Sequence, residues 1–136
     1  RSEQRASIPQ VDLGKMTGTG TGTGAELASF SLKFQGYPYV AGGNTPAGWD
    51  CSGFVQYVFS QFGISLPRTS CAQATVGTPV ASLADAKPGD ILANGTHAAI
   101  YIGNGQVMNA MNPVQGTAVS DVSVFGGAGY SIRRVM

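Results

Sequence analysis

The sequence predicts an α+β domain in which N-terminal helices pack on a C-terminal antiparallel β-sheet. Two observations predict this class: apolar residues recur at helical spacing in the first half of the chain, and after residue 79 short apolar segments alternate with turn residues. A third is the turn Gly103-Asn104-Gly105 between two such segments, which is typical of a hairpin and therefore of antiparallel pairing.

In the first half, Leu27, Phe30 and Phe34 predict one helix at the spacing of a single face. Asp50 is a favourable N-cap for a second helix, whose apolar face comprises residues 54, 55, 58, 59 and 62. Ser70 followed by Gln73 predicts a capping box and a short third helix. In the second half, strands are predicted at 90–93, 97–102, 106–110, 117–119 and 130–135.

The composition limits the classes of protein and partner. The 136 residues suit one domain, and only 11% of them are charged, with a net charge of +1. This low charged fraction favours an extracellular protein, and the absence of a basic patch argues against nucleic acid as a partner. A membrane span is not expected because no apolar stretch approaches the roughly 20 residues that one requires.

Residues 1–24 are expected to form a flexible arm and a Thr/Gly linker, and residues 25–136 a single folded domain. The alternating Thr/Gly run at 17–24 has high backbone entropy and few side chains to bury. The arm would either tether the domain to another module or fold back over the active site as a pro-segment. Its low apolar content favours the tether.

Cys51 is the candidate nucleophile. It follows the predicted cap Asp50, and the free amides and dipole at a helix N-terminus favour a thiolate over a thiol. The alternative is that Cys51 is a small buried apolar residue, as most free cysteines are. The small neighbours Ser52 and Gly53 favour the first interpretation, because they leave the first turn open to a ligand.

The second cysteine, Cys71, has no glycine-rich segment beside it, and we expect it to be a packing residue. A Cys51–Cys71 disulfide is the alternative in an oxidising compartment. Two cysteines and one histidine without tight spacing make a poor zinc site, so no metal is expected.

His97 is the one histidine of the chain and hence the candidate base. The hairpin register selects the residue that would orient it. A two-residue loop would place Asn112 opposite His97, whereas a three-residue loop at 103–105 places Asn109 beside it and keeps one strand face wholly apolar. Because a buried amide without a partner is costly, we expect the three-residue loop, with Gly105 in the left-handed conformation. The Asn109 oxygen would then accept the Nδ1–H of the imidazole.

Five blocks in this order resemble the NlpC-type cell-wall cysteine peptidases, a papain-like family, over residues 25–136. They are YPYVAGG at 37–43, WDCSGFV at 49–55, LPRTS at 66–70, KPGD at 87–90 and HAAIYIGNG at 97–105. The chain departs from the family at Asn109, where histidine is more usual, and at Ala41, where tryptophan is usual.

The resemblance implies a secreted bacterial enzyme of the cell wall or periplasm that hydrolyses the γ-D-glutamyl–diamino acid bond of peptidoglycan stem peptides. It implies that Cys51 is the nucleophile, His97 the base and Asn109 the third polar residue. It further implies that four residues shape the substrate pocket: Tyr39, Asp50, Ser52 and Ser70. Tyr39 would also help the Cys51 amide to bind the oxyanion.

The family implies no cofactor, and we expect a monomer. Three alternatives remain at this stage. The first is a non-catalytic peptidoglycan-binding module, and the second is an amidase or acyltransferase that uses the same pair of residues. The third is a toxin delivered into rival bacteria, which would have the same chemistry.

Overall fold

The computed structural model describes residues 23–127 and 129–136. Residues 1–22 of the predicted arm and linker therefore lie outside the described residues. The last two residues of the predicted linker belong to the first helix: Thr23 is its N-cap and Gly24 its first residue. A reciprocal pair of hydrogen bonds between Thr23 and Glu26 fixes this start, since each side chain accepts from the other residue's amide, at 3.0 and 2.9 Å.

The described residues form three α-helices and eight β-strands. The helices are α1 (Gly24–Ser31), α2 (Cys51–Ser60) and α3 (Ser70–Gln73). The strands are β1 (Asn44–Thr45), β2 (Gly48–Trp49), β3 (Thr78–Pro79), β4 (Ile91–Ala93), β5 (Ala98–Gly103), β6 (Gln106–Asn112), β7 (Gly116–Asp121) and β8 (Ser131–Arg134). Short 3₁₀ turns at Leu32–Phe34, Leu83–Asp85 and Val122–Phe125 complete the elements. No helix among the described residues is both long and apolar enough to cross a membrane.

Six of the strands form one antiparallel sheet in the order β3-β8-β4-β5-β6-β7, and β1 and β2 form a separate hairpin. The helices pack on one face of the large sheet, where Phe54 and Val58 of α2 join Ile100 and Met108 of the sheet in the main core. The predicted α+β class is thus confirmed.

A second apolar cluster covers the opposite face of the sheet. Its buried members are Leu92, Ala99, Tyr101, Val107, Phe125 and Ile132. This cluster anchors the chain that follows β7, because Phe125 ends the 3₁₀ turn there.

The sequence signals correctly predicted both α2 and the short helix α3, but they placed the N-cap of α3 one residue too late. Asp50 is the N-cap of α2, and its side chain accepts from the Gly53 amide at 2.8 Å. The predicted capping box at the third helix does not form, because the N-cap is Thr69, which accepts from the Ala72 amide. Thr69 takes the role since threonine is also a favourable cap, and Ser70 becomes the first residue inside the helix.

The hairpin between β5 and β6 has the predicted register in its body and a shorter loop at its tip. Ile100 pairs with Met108, as expected, but Gly103 pairs with Gln106, which leaves a two-residue loop at 104–105. A bulge before Gly103 absorbs the additional residue. Both loop residues have positive φ, 56° and 73°, which confirms the left-handed conformation predicted for the second of them.

Candidate active site

Cys51 is the first residue of α2, and its thiol lies against the backbone amide of Ala98, the first residue of β5. Burial raises the pKa of the Cys51 thiol, and the charge of Asp50 raises it further. Hydrogen bonds from the amides of Ala98, Ser52 and Cys51 itself act in the opposite direction without reversing the shift. The amides at the helix terminus thus favour a thiolate, as expected, but desolvation outweighs them and the pKa of Cys51 is raised.

Both cysteines are free, so the alternative of a Cys51–Cys71 disulfide is not realised. Cys71 is exposed on α3, and the expectation that it packs into the core is wrong. The reason is that α3 is a single turn whose buried side is formed by Ser70 and Gln73, and Cys71 lies on the other side.

His97 lies immediately before β5, and Nε2 of its imidazole is 2.7 Å from the side-chain oxygen of Asn109. The amide nitrogen of Asn109 donates to the Ala118 carbonyl at 2.9 Å and to the Ser120 hydroxyl at 3.2 Å. Because the carbonyl can only accept, it orients the amide so that the oxygen of Asn109 faces His97. The expected neighbour of His97 is thus confirmed.

The edge of the imidazole that meets Asn109 differs from the expectation. Asn109 contacts Nε2 and not Nδ1. An amide oxygen is an acceptor, so the neutral imidazole carries its proton on Nε2 and leaves the lone pair of Nδ1 free. Strand register places two residues side by side but does not fix rotation about the bond to the ring, which explains the error.

Burial lowers the pKa of His97, and the hydrogen bond to Asn109 opposes this shift without cancelling it. The ring of Phe125 packs against the imidazole edge to face, with centroids 5.3 Å apart. Since an unperturbed histidine titrates near pH 6.5, a lowered pKa keeps His97 neutral at pH 7.

A surface cleft of about 490 Å³ opens beside Cys51. The structure brings all four predicted substrate residues to its walls with Cys51: Tyr39, Asp50, Ser52 and Ser70. Gly42, Arg68, Thr69 and Thr96 complete the lining. His97 directly follows the lining residue Thr96 in the chain, and Asn109 bonds to His97. Cys51 connects the cleft to this pair, because it lines the cleft and its thiol lies against the amide of Ala98, the residue after His97.

Arg68 is a component of the cleft to which the sequence analysis assigned no role. Its Nη1 donates to Asp50 and Ser52, and its Nη2 donates to Asp50 and the Gly43 carbonyl, all at 2.9–3.0 Å. The sequence did contain a signal for it, because Arg68 is a charged residue within the LPRTS block at 66–70 of a chain in which only 11% of residues are charged. These contacts connect three segments of the cleft wall through one guanidinium group.

The carboxyl of Asp50 is the acceptor at the centre of this network. Burial acts to raise its pKa, but hydrogen bonds from Arg68 and from the amides of Gly53 and Gly42 outweigh burial, so the pKa of Asp50 is lowered. The hydroxyl of Tyr39 behaves oppositely: burial and the charges of Cys51 and Asp50 raise its pKa. Tyr39 therefore remains protonated and able to donate a hydrogen bond.

Gln73 connects two segments beside the cleft, the start of α2 and the segment before Arg68. It is fully buried, and its side-chain nitrogen donates to the Ser52 carbonyl at 3.0 Å and to the Pro67 carbonyl at 2.9 Å. The sequence pattern predicted that Gln73 would belong to a capping box. Its actual role is to hold the segment before Arg68 against the start of α2. Among the described residues, no cluster of three or more histidine, cysteine or acidic side chains could hold a metal ion.

The sequence and the fold both match known proteins. A family model described as NlpC/P60 matches residues 36–128. The chain is 46% identical over 91 residues to a probable endopeptidase p60 of Listeria innocua, which covers 63% of this chain and 19% of that protein. It is 41% identical over 106 residues to a probable endopeptidase of Mycobacterium tuberculosis, covering 76% of this chain and 27% of the relative. The chain thus spans about a fifth to a quarter of the length of these two curated relatives.

Solved structures give the same result. The NlpC/p60 domain of the peptidoglycan hydrolase SagA superposes with a TM-score of 0.75 at 34% identity, over 84% of this chain and 100% of that one. The peptidoglycan hydrolase RipB of Mycobacterium tuberculosis superposes with a TM-score of 0.70 at 30% identity, over 95% of this chain and 69% of that one. All the site residues described above, from Tyr39 to Asn109, lie within the matched range, and the chain belongs to the NlpC/P60 family.

Proposed function

We propose that this domain is a cysteine endopeptidase that hydrolyses the γ-D-glutamyl–diamino acid bond of peptidoglycan stem peptides. The observation that carries the proposal is the placement of Cys51 in the cleft, against the strand whose preceding residue, His97, is oriented by Asn109. Membership of a family with relatives described as endopeptidases and peptidoglycan hydrolases supports the reaction class.

The Cys51 thiol transfers its proton to Nδ1 of His97 in the same step in which its sulfur attacks the substrate. The sulfur attacks the carbonyl carbon of the scissile bond, and the amide of Cys51 with the protonated hydroxyl of Tyr39 receives the charge on the carbonyl oxygen. The carbon–nitrogen bond then breaks, and the leaving amine takes the proton from His97. Water, deprotonated by the same nitrogen, hydrolyses the thioester and returns the thiol.

The pKa directions at the two residues support a neutral resting pair. Burial raises the pKa of Cys51 and lowers that of His97, so both changes favour thiol and imidazole over thiolate and imidazolium. His97 is thus in the form that can accept a proton at pH 7. Proton transfer would then accompany attack on the substrate, instead of preceding its binding.

The substrate would lie along the cleft, where Tyr39, Asp50, Ser52 and Ser70 offer hydroxyl and carboxylate groups. The carboxylate of Asp50 is already engaged by Arg68, which fixes its direction before a substrate arrives. A preorganised polar wall suits a short peptide that carries carboxylate and amino groups. Since its substrate is the cell wall, the enzyme would act outside the cytoplasm.

The proposal is tested with purified peptidoglycan and two proteins, wild type and His97→Ala. Hydrolysis at the proposed bond releases a new amino group on the diamino acid, so free amines should accumulate with wild type only. A non-catalytic binding module would sediment with the wall and release no amines. An acyltransferase would release amines together with an acylated product when an amine acceptor is added.

A further inference from the structure

The imidazole of His97 is confined on two sides by different kinds of contact. Asn109 meets its Nε2 edge at 2.7 Å, and Phe125 lies against the ring with centroids 5.3 Å apart and planes at 65°. This edge-to-face geometry is favourable for two aromatic rings. Phe125 is 5% exposed, so its ring is part of the protein interior.

Phe125 is itself held firmly. It ends the 3₁₀ turn Val122–Phe125, which Asp121 caps by accepting from the Ser123 amide at 2.9 Å. Its ring also lies 4.9 Å from the ring of Tyr130, with the two planes tilted by 40°, and it belongs to the apolar cluster on the outer face of the sheet. The wall beside His97 is therefore formed by a buried and packed side chain.

We propose that Phe125 is the positioning residue that fixes the rotation of the His97 ring, so that Nε2 stays at Asn109 and Nδ1 is left for the thiol. One hydrogen bond to Asn109 does not prevent the imidazole from rotating about its Cβ–Cγ bond, since water can replace Asn109 as the partner. A packed ring prevents this turn sterically and keeps water from the bond between His97 and Asn109. The consequence for catalysis rests on the proposed function.

Ile132, another member of the same apolar cluster, provides the comparison for Phe125. Ile132 is buried in the same cluster, at 6% exposure, and its strand β8 lies two strands away from β5. Truncating Ile132 would cost core stability without removing the ring that faces the imidazole. It therefore serves as the matched control for Phe125.

The chain offers a direct readout because His97 is its one histidine. In tag-free protein, NMR of the imidazole gives a single set of signals that reports the tautomer, the pKa and the ring current of Phe125. Wild type should show the Nε2–H tautomer and a pKa below the ordinary 6.5. Phe125→Leu should remove the ring-current shift, raise the pKa towards 6.5 and populate the second tautomer. Phe125→Tyr should restore the wild-type signals, and Ile132→Ala should leave them unchanged.

Neither Phe125→Leu nor Ile132→Ala adds or removes an ionisable group. The titratable side chains on the elements around the imidazole are Tyr101 of β5, Cys51 and Asp50 at the start of α2, Asp121 at the start of the 3₁₀ turn, and Tyr130 behind Phe125. All are retained in the Leu variant. A change in the titration would therefore come from the lost ring and the water that replaces it.

Activity provides the second readout. Phe125→Leu should lower kcat about tenfold, because part of the population holds the base in the wrong orientation, and should change KM by less than about twofold. The proposal is overturned if Phe125→Leu keeps the wild-type tautomer and pKa, or if Ile132→Ala reproduces its changes. A protein without peptidase activity but with the expected NMR changes would refute the proposed function alone.

Discussion

Arg68 directs its two terminal nitrogens at the two carboxylate oxygens of Asp50, Nη1 to Oδ1 and Nη2 to Oδ2, each at 3.0 Å. The same carboxylate caps α2 through the Gly53 amide. One side chain thus connects a cation on the far wall of the cleft to the helix that begins with Cys51. Two predictions follow from the planar geometry and from the charge of this pair.

Arg68→Lys should weaken substrate binding although the exchange keeps the positive charge, because an ammonium group cannot form the two parallel hydrogen bonds to Asp50. We expect KM to rise about fivefold, and the free energy of unfolding to fall by only about 1 kcal/mol, since the pair is partly exposed. Kinetics and urea denaturation measure the two effects.

Arg133→Lys is the matched control, because the guanidinium of Arg133 donates to three backbone carbonyls outside the cleft: those of Val76, Thr75 and Gly77. This control should lower stability by a similar amount and leave KM unchanged. A rise in KM of equal size in both variants would contradict a specific role for Arg68.

Asp50→Asn should reveal a pH-dependent contribution to stability. The folded pKa of Asp50 lies below its unfolded value near 3.8, so its contribution is fully present above pH 3.8 and is lost as the pH falls through the folded pKa. Asparagine keeps a helix cap but carries no charge. Wild type should therefore exceed the variant in stability at pH 7, and the difference should shrink below pH 3.8. Urea denaturation across this range measures it, and a constant difference would argue against the charge.

Cys51→Ala should abolish turnover and leave the fold intact, because the thiol is needed for the covalent step. Cys71→Ser should retain activity within about twofold, since Cys71 is exposed and has no role in the proposed chemistry. Amine release and thermal melting measure the two effects. Loss of activity in the Cys71 variant would refute the assignment of the nucleophile.

Asn109→Ala should lower kcat about 10- to 100-fold, which corresponds to an orienting hydrogen bond worth roughly 1–3 kcal/mol. Asn109→His should retain activity, because it restores the residue more usual in the family. Asn112→Ala is the control, since Asn112 bonds within its own turn to Val114 and Gln115. Steady-state kinetics would argue against the proposed role if the Asn112 variant lost as much activity as the Asn109 variant.

The sequence predicts those parts of this structure that depend on local signals, such as the spacing of apolar residues and the capping residues. The apolar period of 3.6 and the Asp50 cap located α2, and the cost of burying a lone amide selected the register that brings Asn109 to His97. A bulge at Gly103 could shorten the loop without disturbing that register, because the apolar strand face was preserved.

The remaining features depend on contacts between distant segments. Arg68 and Asp50 are 18 residues apart in the chain. Phe125 contacts His97 from the 3₁₀ turn that follows β7. No repeating pattern in the sequence predicts either of these two contacts. The choice between Nδ1 and Nε2 is a side-chain rotation, which is set by packing and by the Ala118 carbonyl that orients Asn109.

Mass spectrometry of the products from defined muropeptides tests the central claim most directly. Muropeptides with an intact stem are incubated with wild-type protein and with Cys51→Ser. The account predicts that wild type converts each one into a sugar-linked L-alanyl-D-glutamate and a peptide that begins with the diamino acid, with one water added in total, and that the variant leaves it intact. Release of a whole stem from the sugar, which marks an amidase, or identical products from both proteins would contradict it.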